Sequence, residues 1–351
     1  CYLNQTGYGV AAQDYIRSIL HADPGVDLRL SFVNPHILGV SANRRQLFQS
    51  LQKKEARKPF VTVYHTIPML YRREEDCQKS IGVALFETIN VPAMWVQFMN
   101  RMDQILTASE FNRGVFQQAG VTKPVEVVPH CFDPKMFNRD VTAPGRYDRF
   151  TFFSMGTWRT RKNWTMLIRA FYDGFENRDK VCLLIKTDKV DRLKAMVSSI
   201  KRSEYRSKDT APIYAEEKSC CEFEDIPGIM KKGDVCVCPS LGEGFGLPGL
   251  HAMALGIPLI VTKFGGSLQY AKPEFCSYIE PTGYRSLPTM DGIPQFVNCI
   301  WPIVGVKEIR DAMRAAFEKP QTEKAAAAYN YVHSNYTYDV VGRKMIETVL
   351  A

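Results

Sequence analysis

Along most of the chain, short apolar runs alternate with stretches in which apolar residues recur every three to four positions. "PFVTVYH" (59–65), "SIGVALFET" (80–88), "DQILTAS" (103–109) and "PVEVVPH" (124–130) read as buried strands. Between them, "VPAMWVQFMNRM" (91–102) and "EFNRGVFQQAG" (110–120) carry helical spacing, the second closed by Gly120. A polar, irregular stretch (132–149) interrupts the alternation, which then resumes. "FTFFSMGT" (150–157), "VCLLIKT" (181–187), "DVCVCPS" (234–240) and "PLIVT" (258–262) read as strands. "NWTMLIRAFYDGF" (163–175), "DIPGIMKKG" (225–233) and "LPGLHAMALG" (247–256) read as helices, and helical patterns at 306–318 and 337–350 close the chain. Strands alternating with helices predict α/β architecture, with parallel sheets covered on both faces. A chain of 351 residues suits two such domains. The boundary is expected near Asp148, giving Rossmann-like domains over 1–148 and 149–330 and a last helical segment over 331–351. A cleft between two such domains is the expected place for a ligand.

Composition narrows the class. Hydrophobic residues at 45% and charged residues at 23% suit a globular chain. No run of about eighteen apolar residues is present, so a membrane span is not expected. No signal-peptide pattern is seen, and a cytoplasmic setting with reduced thiols is the expectation. Among the ten cysteines, Cys220–Cys221 and Cys236–Cys238 lack zinc-site spacing, and the alternation of "DVCVCPS" puts Cys236 and Cys238 on one face of a strand. The net charge of +8 favours an acidic partner. Its densest cluster is Arg44, Arg45, Lys53, Lys54, Arg57 and Lys58, either a solvated helix face or a patch for phosphate or anionic lipid, with Leu47, Phe48 and Leu51 alongside.

The stretch "SLGEGFGLPGLHAMALGIPLIVT" (240–262) concentrates the candidate chemistry. "CPS" ends a strand and "LPGLHAMA" begins a helix. The glycines between them allow close backbone approach to a ligand. The helix start offers N–H groups and a positive dipole end to an anion such as a pyrophosphate. Glu243 in the same turn can accept hydrogen bonds from ligand hydroxyls; the plainer alternative is a surface carboxylate beside a helix-capping turn.

This stretch resembles the donor-site signature of family 4 retaining glycosyltransferases, which have the GT-B fold: two Rossmann-like domains facing across a cleft. The signature is typically Glu-Gly-Phe-Gly-Leu-Pro, with a second Glu eight residues after the first. "TGYGVAAQDYIRSIL" (6–20) resembles the family's N-terminal glycine loop and helix, "LTASEFNRGVFQQAGVTKPVEVVPHCFDPKMF" (106–137) its interdomain segment, and "SMGTWRTRKNWTMLIRAF" (154–171) the start of its donor domain. The resemblance implies a hexosyltransferase-like enzyme that takes a UDP- or GDP-linked sugar, needs no metal or further cofactor, and has a last helix crossing back to the first domain. Glu243 would lie against the transferred sugar. The backbone of Gly244, Phe245, Gly246 and Leu247 would approach sugar and diphosphate. Lys162, with Arg161 or Arg159, would neutralise the phosphate charge that develops as the anomeric bond breaks. Thr157 stands where the family usually has an Arg, so one of those two arginines must substitute. Gly7 and Gly9 would bring the N-terminal loop to the same phosphates. His65 would sit near the reacting sugar, in contact with donor and acceptor. Glu87 is a candidate for acceptor binding, against a purely structural hydrogen bond, and Lys186 for donor contact.

His251 occupies the position of the second Glu, which in the family accepts from the ribose diol. A neutral imidazole accepts one hydrogen bond and donates one, so nucleotide grip should differ while Glu243 and the basic residues remain. The implied acceptors are a glycan, a glycolipid or a modified DNA base, with peripheral membrane contact left open. The rival readings are transfer to 5-hydroxymethylpyrimidine bases of DNA, a non-catalytic nucleotide-sugar-binding relative, and a sugar-nucleotide epimerase of the same fold.

Overall fold

The structure is a computed structural model, and it describes residues 6–31, 42–55, 57–74, 76–217 and 223–351. Cys1, Cys220 and Cys221 lie outside the described residues. The chain divides into two compact units, residues 1–134 with 333–351 and residues 135–332.

In the first unit, helix α1 (Gly7–Ala22) and helix α2 (Ala42–Gln52) precede a parallel four-stranded sheet. Its strands run β1 (Val61–His65), β2 (Lys79–Val83), β3 (Gln104–Thr107) and β4 (Val125–Val127), ordered as in sequence. Helix α3 (Ala93–Met99) lies between β2 and β3, and α4 (Glu110–Gln118) between β3 and β4. Ser109 caps α4 by accepting from the Asn112 amide. The strand expected over 80–88 stops at Val83: the Ala84 amide still donates to the Leu106 carbonyl of β3, but the Leu85 amide donates to the Tyr8 hydroxyl rather than to a neighbouring strand. Gly7 and Gly9, expected in a loop, lie in the first turn of α1, where the Thr6 hydroxyl caps the Gly9 amide. Helix α2 also departs from expectation. Phe48 and Leu51 are buried against Ala12, Ile16 and Leu30, so they are not free to meet lipid. Arg44 is buried and donates to Gln13, while Asp27 lies near Lys54 and Arg57 at 3.7 and 3.8 Å and Asp76 pairs with Lys58 at 2.8 Å. The cluster is therefore partly neutralised rather than an open basic patch.

The second unit holds a parallel six-stranded sheet. Its strands are β5 (Phe150–Met155), β6 (Val181–Lys186), β7 (Ile213–Ala215), β8 (Val235–Cys238), β9 (Leu259–Thr262) and β10 (Ser277–Ile279). The spatial order is β10-β9-β8-β5-β6-β7. The chain thus builds outward from β5 in one direction through β6 and β7, then returns to β5's other side at β8. Segments leaving β5 and β8 at their C-terminal ends therefore meet at a topological switch point, where ligand sites form in open α/β sheets. Helices α5 (Trp164–Gly174), α6 (Val190–Glu204), α7 (Ile226–Met230) and α8 (Leu247–Ala254) form the crossovers. Cys236 and Cys238 share a face of β8, with their sulfurs 3.9 Å apart and both thiols free. A separate antiparallel pair, β11 (Gly283–Leu287) and β12 (Cys299–Ile303), follows, then α9 (Val306–Glu318) and α10 (Thr322–Asn335). The polar stretch 135–149 packs on this unit: Phe137 stacks on His251, and Arg146 pairs with Asp234.

The last helix, α11 (Tyr338–Leu350), belongs to the first unit and packs on α1. Gly342 makes that approach possible, since a Cβ there would come within 2.1 Å of the Ser18 carbonyl oxygen. Among the described residues, no helix is long and apolar enough to cross a membrane.

Candidate functional site

In the second unit the turn after β8 and the turn after β5 converge on Glu243. Lys162 donates to Glu243 Oε1, and Arg161 Nη1 lies 2.9 Å from Oε2. Arg161 also donates to the Gly242 carbonyl at 2.8 Å, and the Arg161 carbonyl accepts from the Leu241 amide at 2.7 Å. The side chains of Lys162, Glu243 and Arg161 are 9%, 15% and 17% exposed. Burial pushes the Glu243 carboxyl up, but Arg161, Lys162 and a hydrogen bond from Ser240 outweigh it and hold the group at about 2. Glu243 is therefore ionised at neutral pH.

The turn that carries it is fixed by backbone packing. The Glu243 carbonyl accepts from the Gly266 amide at 2.7 Å, and any side chain at Gly266 would run into the Gly244 carbonyl, 1.8 Å from a built Cβ. Gly246 takes φ +84°, a conformation glycine adopts without steric cost, and its carbonyl accepts from the Tyr270 hydroxyl at 2.5 Å. Phe245 and Leu247 are buried, with the Phe245 ring 5.2 Å from Tyr270. A small cavity under this turn is lined by Ser154, Lys162, Glu243, Ser267 and Tyr270.

The remaining cations differ from this pair. Arg159 is exposed in extended backbone and has no side-chain partner among the described residues. Lys186 ends β6 and is buried, and its ammonium likewise makes no ion pair among the described residues. His251 is buried in α8, its ring 4.1 Å from Phe137 in a stacked arrangement and 6.0 Å from Phe223 edge-on. Burial pulls its pKa down to about 3, so it is neutral, and its Nε2 has no hydrogen bond among the described residues.

Gly7, Gly9, His65 and Glu87 belong to the first unit. His65 ends β1, with the rings of Tyr8 and Tyr15 at 5.4 and 5.7 Å. Its pKa falls to about 3 because burial disfavours the charged ring. Glu87 follows β2 and acts electrostatically on Tyr8, placing both near the same strand ends. His130 and Tyr15 were not singled out from the sequence. Tyr15 donates to the Val128 carbonyl at 2.6 Å, so at 3.0 Å His130 Nδ1 is the donor to the Tyr15 oxygen. Ser240, Tyr270, Asp188 and Asp291 were missed too; the "DG" pair at Asp291 was a visible turn signal.

Residues 149–277 match the family model described as glycosyl transferases group 1. Among curated proteins, a 76-residue stretch is 37% identical to UDP-Gal:alpha-D-GlcNAc-diphosphoundecaprenol alpha-1,3-galactosyltransferase of Escherichia coli, covering 22% of this chain. The matches to curated relatives span 18% and 17% of those proteins' lengths. Among solved structures, Anabaena HepE in complex with UDP-glucose aligns with a TM-score of 0.67 at 13% identity, covering 99% of this chain and 96% of that one. The sucrose-phosphate synthase of Thermosynechococcus elongatus aligns with a TM-score of 0.66 at 13% identity, covering 98% and 94%. The fold is GT-B, built from two Rossmann-like units.

Proposed function

We propose that this chain is a retaining glycosyltransferase that moves a hexose from a UDP-linked donor to an acceptor hydroxyl. The observation that carries the reading is Glu243, ionised in a glycine-lined turn with Arg161 and Lys162 on its two oxygens, at the switch point of a nucleotide-binding type of sheet. The group 1 match over 149–277 covers these residues. UDP is favoured over GDP because the Escherichia coli relative is named for UDP-Gal and the HepE complex holds UDP-glucose.

On this reading Glu243 accepts from hydroxyls of the transferred sugar. Lys162 and Arg161 then divide their donors between that carboxylate and the diphosphate, while Arg159 and Lys186 add positive charge. As the anomeric bond breaks, negative charge grows on the leaving phosphate, and cations already in place stabilise it without reorganising. The acceptor attacks from the face the nucleotide leaves, and the departing phosphate takes the acceptor's proton. Anomeric configuration is kept without a protein nucleophile. The alpha product in the relative's name supports this stereochemistry. A glycan or glycolipid hydroxyl is the acceptor class favoured; the DNA reading loses support with the partly neutralised cluster over 44–58.

Nucleotide release from UDP-glucose, UDP-galactose and GDP-mannose, with the anomeric signal of the product followed by NMR, tests the reading. Release from a UDP-sugar with a product of unchanged anomeric configuration is expected. An inverted product would remove the retaining assignment, and preference for GDP-mannose would remove the UDP assignment.

A further inference from the structure

The basic turn that follows β5 is held from outside by two carboxylates that come from different parts of the chain. The Trp158 amide donates to Asp188 Oδ1 at 2.6 Å, just beyond β6. The Thr160 amide donates to both oxygens of Asp291, at 3.0 and 3.2 Å, and the Thr160 hydroxyl donates to Asp291 Oδ1 as well. Arg159 lies between these two anchored residues in extended backbone, φ −136° and ψ 144°. Arg161 and Lys162 follow Thr160 directly, and the turn closes with the Lys162 and Asn163 amides donating to the carbonyls of Arg159 and Thr160.

Asp291 is carried by the segment joining β11 to β12, which is built to project it. Met290 is buried at the base of a tight turn, and the Ile293 amide donates back to its carbonyl at 3.1 Å. Asp291 and Gly292 between them both take positive φ, 56° and 67°, as a type I′ turn requires. Phe296 packs edge-on against the fully buried Trp301 of β12, 5.2 Å between centroids, and anchors the far side of the segment. The carboxylate therefore sits on a braced tip while its own side chain reaches the turn.

We propose that Asp291 is a positioning residue for the basic turn: by holding Thr160 it sets where Arg159, Arg161 and Lys162 stand toward an anionic ligand. It rests on the donor reading above, in which that ligand is the diphosphate of a nucleotide-sugar. An amide and a hydroxyl captured by one carboxylate cap the tight turn as an N-cap residue does, but from a distant part of the chain. Freed of it, the three cations keep their charge and lose their common geometry, so affinity for the diphosphate falls, and with it the stabilisation of the charge that grows there as the anomeric bond breaks.

The test compares the full chain with Asp291→Ala and Asp291→Asn by donor kinetics, amide hydrogen exchange at Thr160 to Lys162, and calorimetry with inorganic pyrophosphate. The expected result is a donor kcat/KM lowered about fivefold by Asp291→Ala, with faster exchange at Thr160. Asp291→Asn, which keeps one acceptor oxygen, should recover most of both changes. Unchanged exchange, or faster exchange with unchanged kcat/KM, overturns the proposal. If the parent protein consumes no nucleotide-sugar, the donor reading fails separately and pyrophosphate decides. Affinity lowered about fivefold by Asp291→Ala supports the positioning role, and equal affinity, or no binding to the parent, overturns it.

Discussion

Glu243 and Asp14 are both carboxylates removed from water with two arginine or lysine side chains close by, yet they end in opposite states. Glu243 has a cation on each oxygen, and Arg161 and Lys162 overcome burial to hold it near 2. Asp14, in α1, is raised to about 6, because burial dominates what its neighbours return. Those neighbours are committed elsewhere: Arg17 bonds Asp133 at 2.8 Å and the Tyr338 hydroxyl at 2.9 Å, and Arg44 donates to Gln13. Tyr338 is the donor to Asp14 Oδ1, and Oδ2 has no partner among the described residues. Proximity of positive charge is thus a weaker determinant than direct contact. The first arrangement keeps a carboxylate charged where a ligand can take it over. The second joins α1 to α11 through a group that changes charge near neutral pH.

Replacing each acid by its amide breaks the comparison most sharply. Glu243→Gln leaves Arg161 and Lys162 facing each other without a counter-charge, and urea unfolding at pH 7 should show a loss of about 2–3 kcal/mol, below the full cost of breaking a wholly buried pair. Adding Lys162→Met should return about half of it, since one cation then remains beside a neutral amide. Tyr338→Phe removes the donor to Asp14 and should cost about 1–2 kcal/mol, more at pH 8, where Asp14 is ionised, than at pH 5. Asp14→Asn should change stability by under about 1 kcal/mol, and toward greater stability at pH 8, because it removes a buried charge that lacks an ion pair.

Titration sharpens the same contrast. Glu243's lowered pKa contributes stability above 4.5 that is lost as pH falls toward 2. Asp14's raised pKa does the reverse: its contribution is full below 3.8 and is lost as pH rises through about 6. Carboxyl carbon shifts followed by NMR should show Glu243 ionised throughout pH 4 to 8 and Asp14 changing within that range; matching titrations would remove the distinction.

Much of this was legible in the residues. The strand-to-helix turn at Glu243 shows itself through local glycines and a following helical pattern, and the alternation of "DVCVCPS" placed Cys236 and Cys238 on one face. Arg161 and Lys162 were visible as a basic turn, but their capture by Glu243 depends on β5 lying beside β8, a pairing no local pattern states. Tyr270 and Asp291 reach the site from distant parts of the chain, whereas Ser240 lies three residues before Glu243 in the same turn. The cluster over 44–58 misled because its six basic residues dominate the local composition, while Phe48 and Leu51 decide which face of α2 is inward. The "TGYG" glycines read as loop although Thr6, three residues before Gly9, is the kind of residue that caps a helix. The β11–β12 pair carries Gly, Pro and polar residues in weak alternation, so it gave no strand signal.

The most direct test of the central claim is nucleotide release from UDP-glucose and UDP-galactose by the parent protein and by Glu243→Gln, at equal folded concentration. The account predicts release by the parent with one of these donors and a loss of about a hundredfold or more in the variant, the scale expected when a preorganised charged contact to the reacting sugar is removed. A variant that releases nucleotide at the parent's rate would contradict it, and Glu243 would then be a structural counter-ion for Arg161 and Lys162 alone.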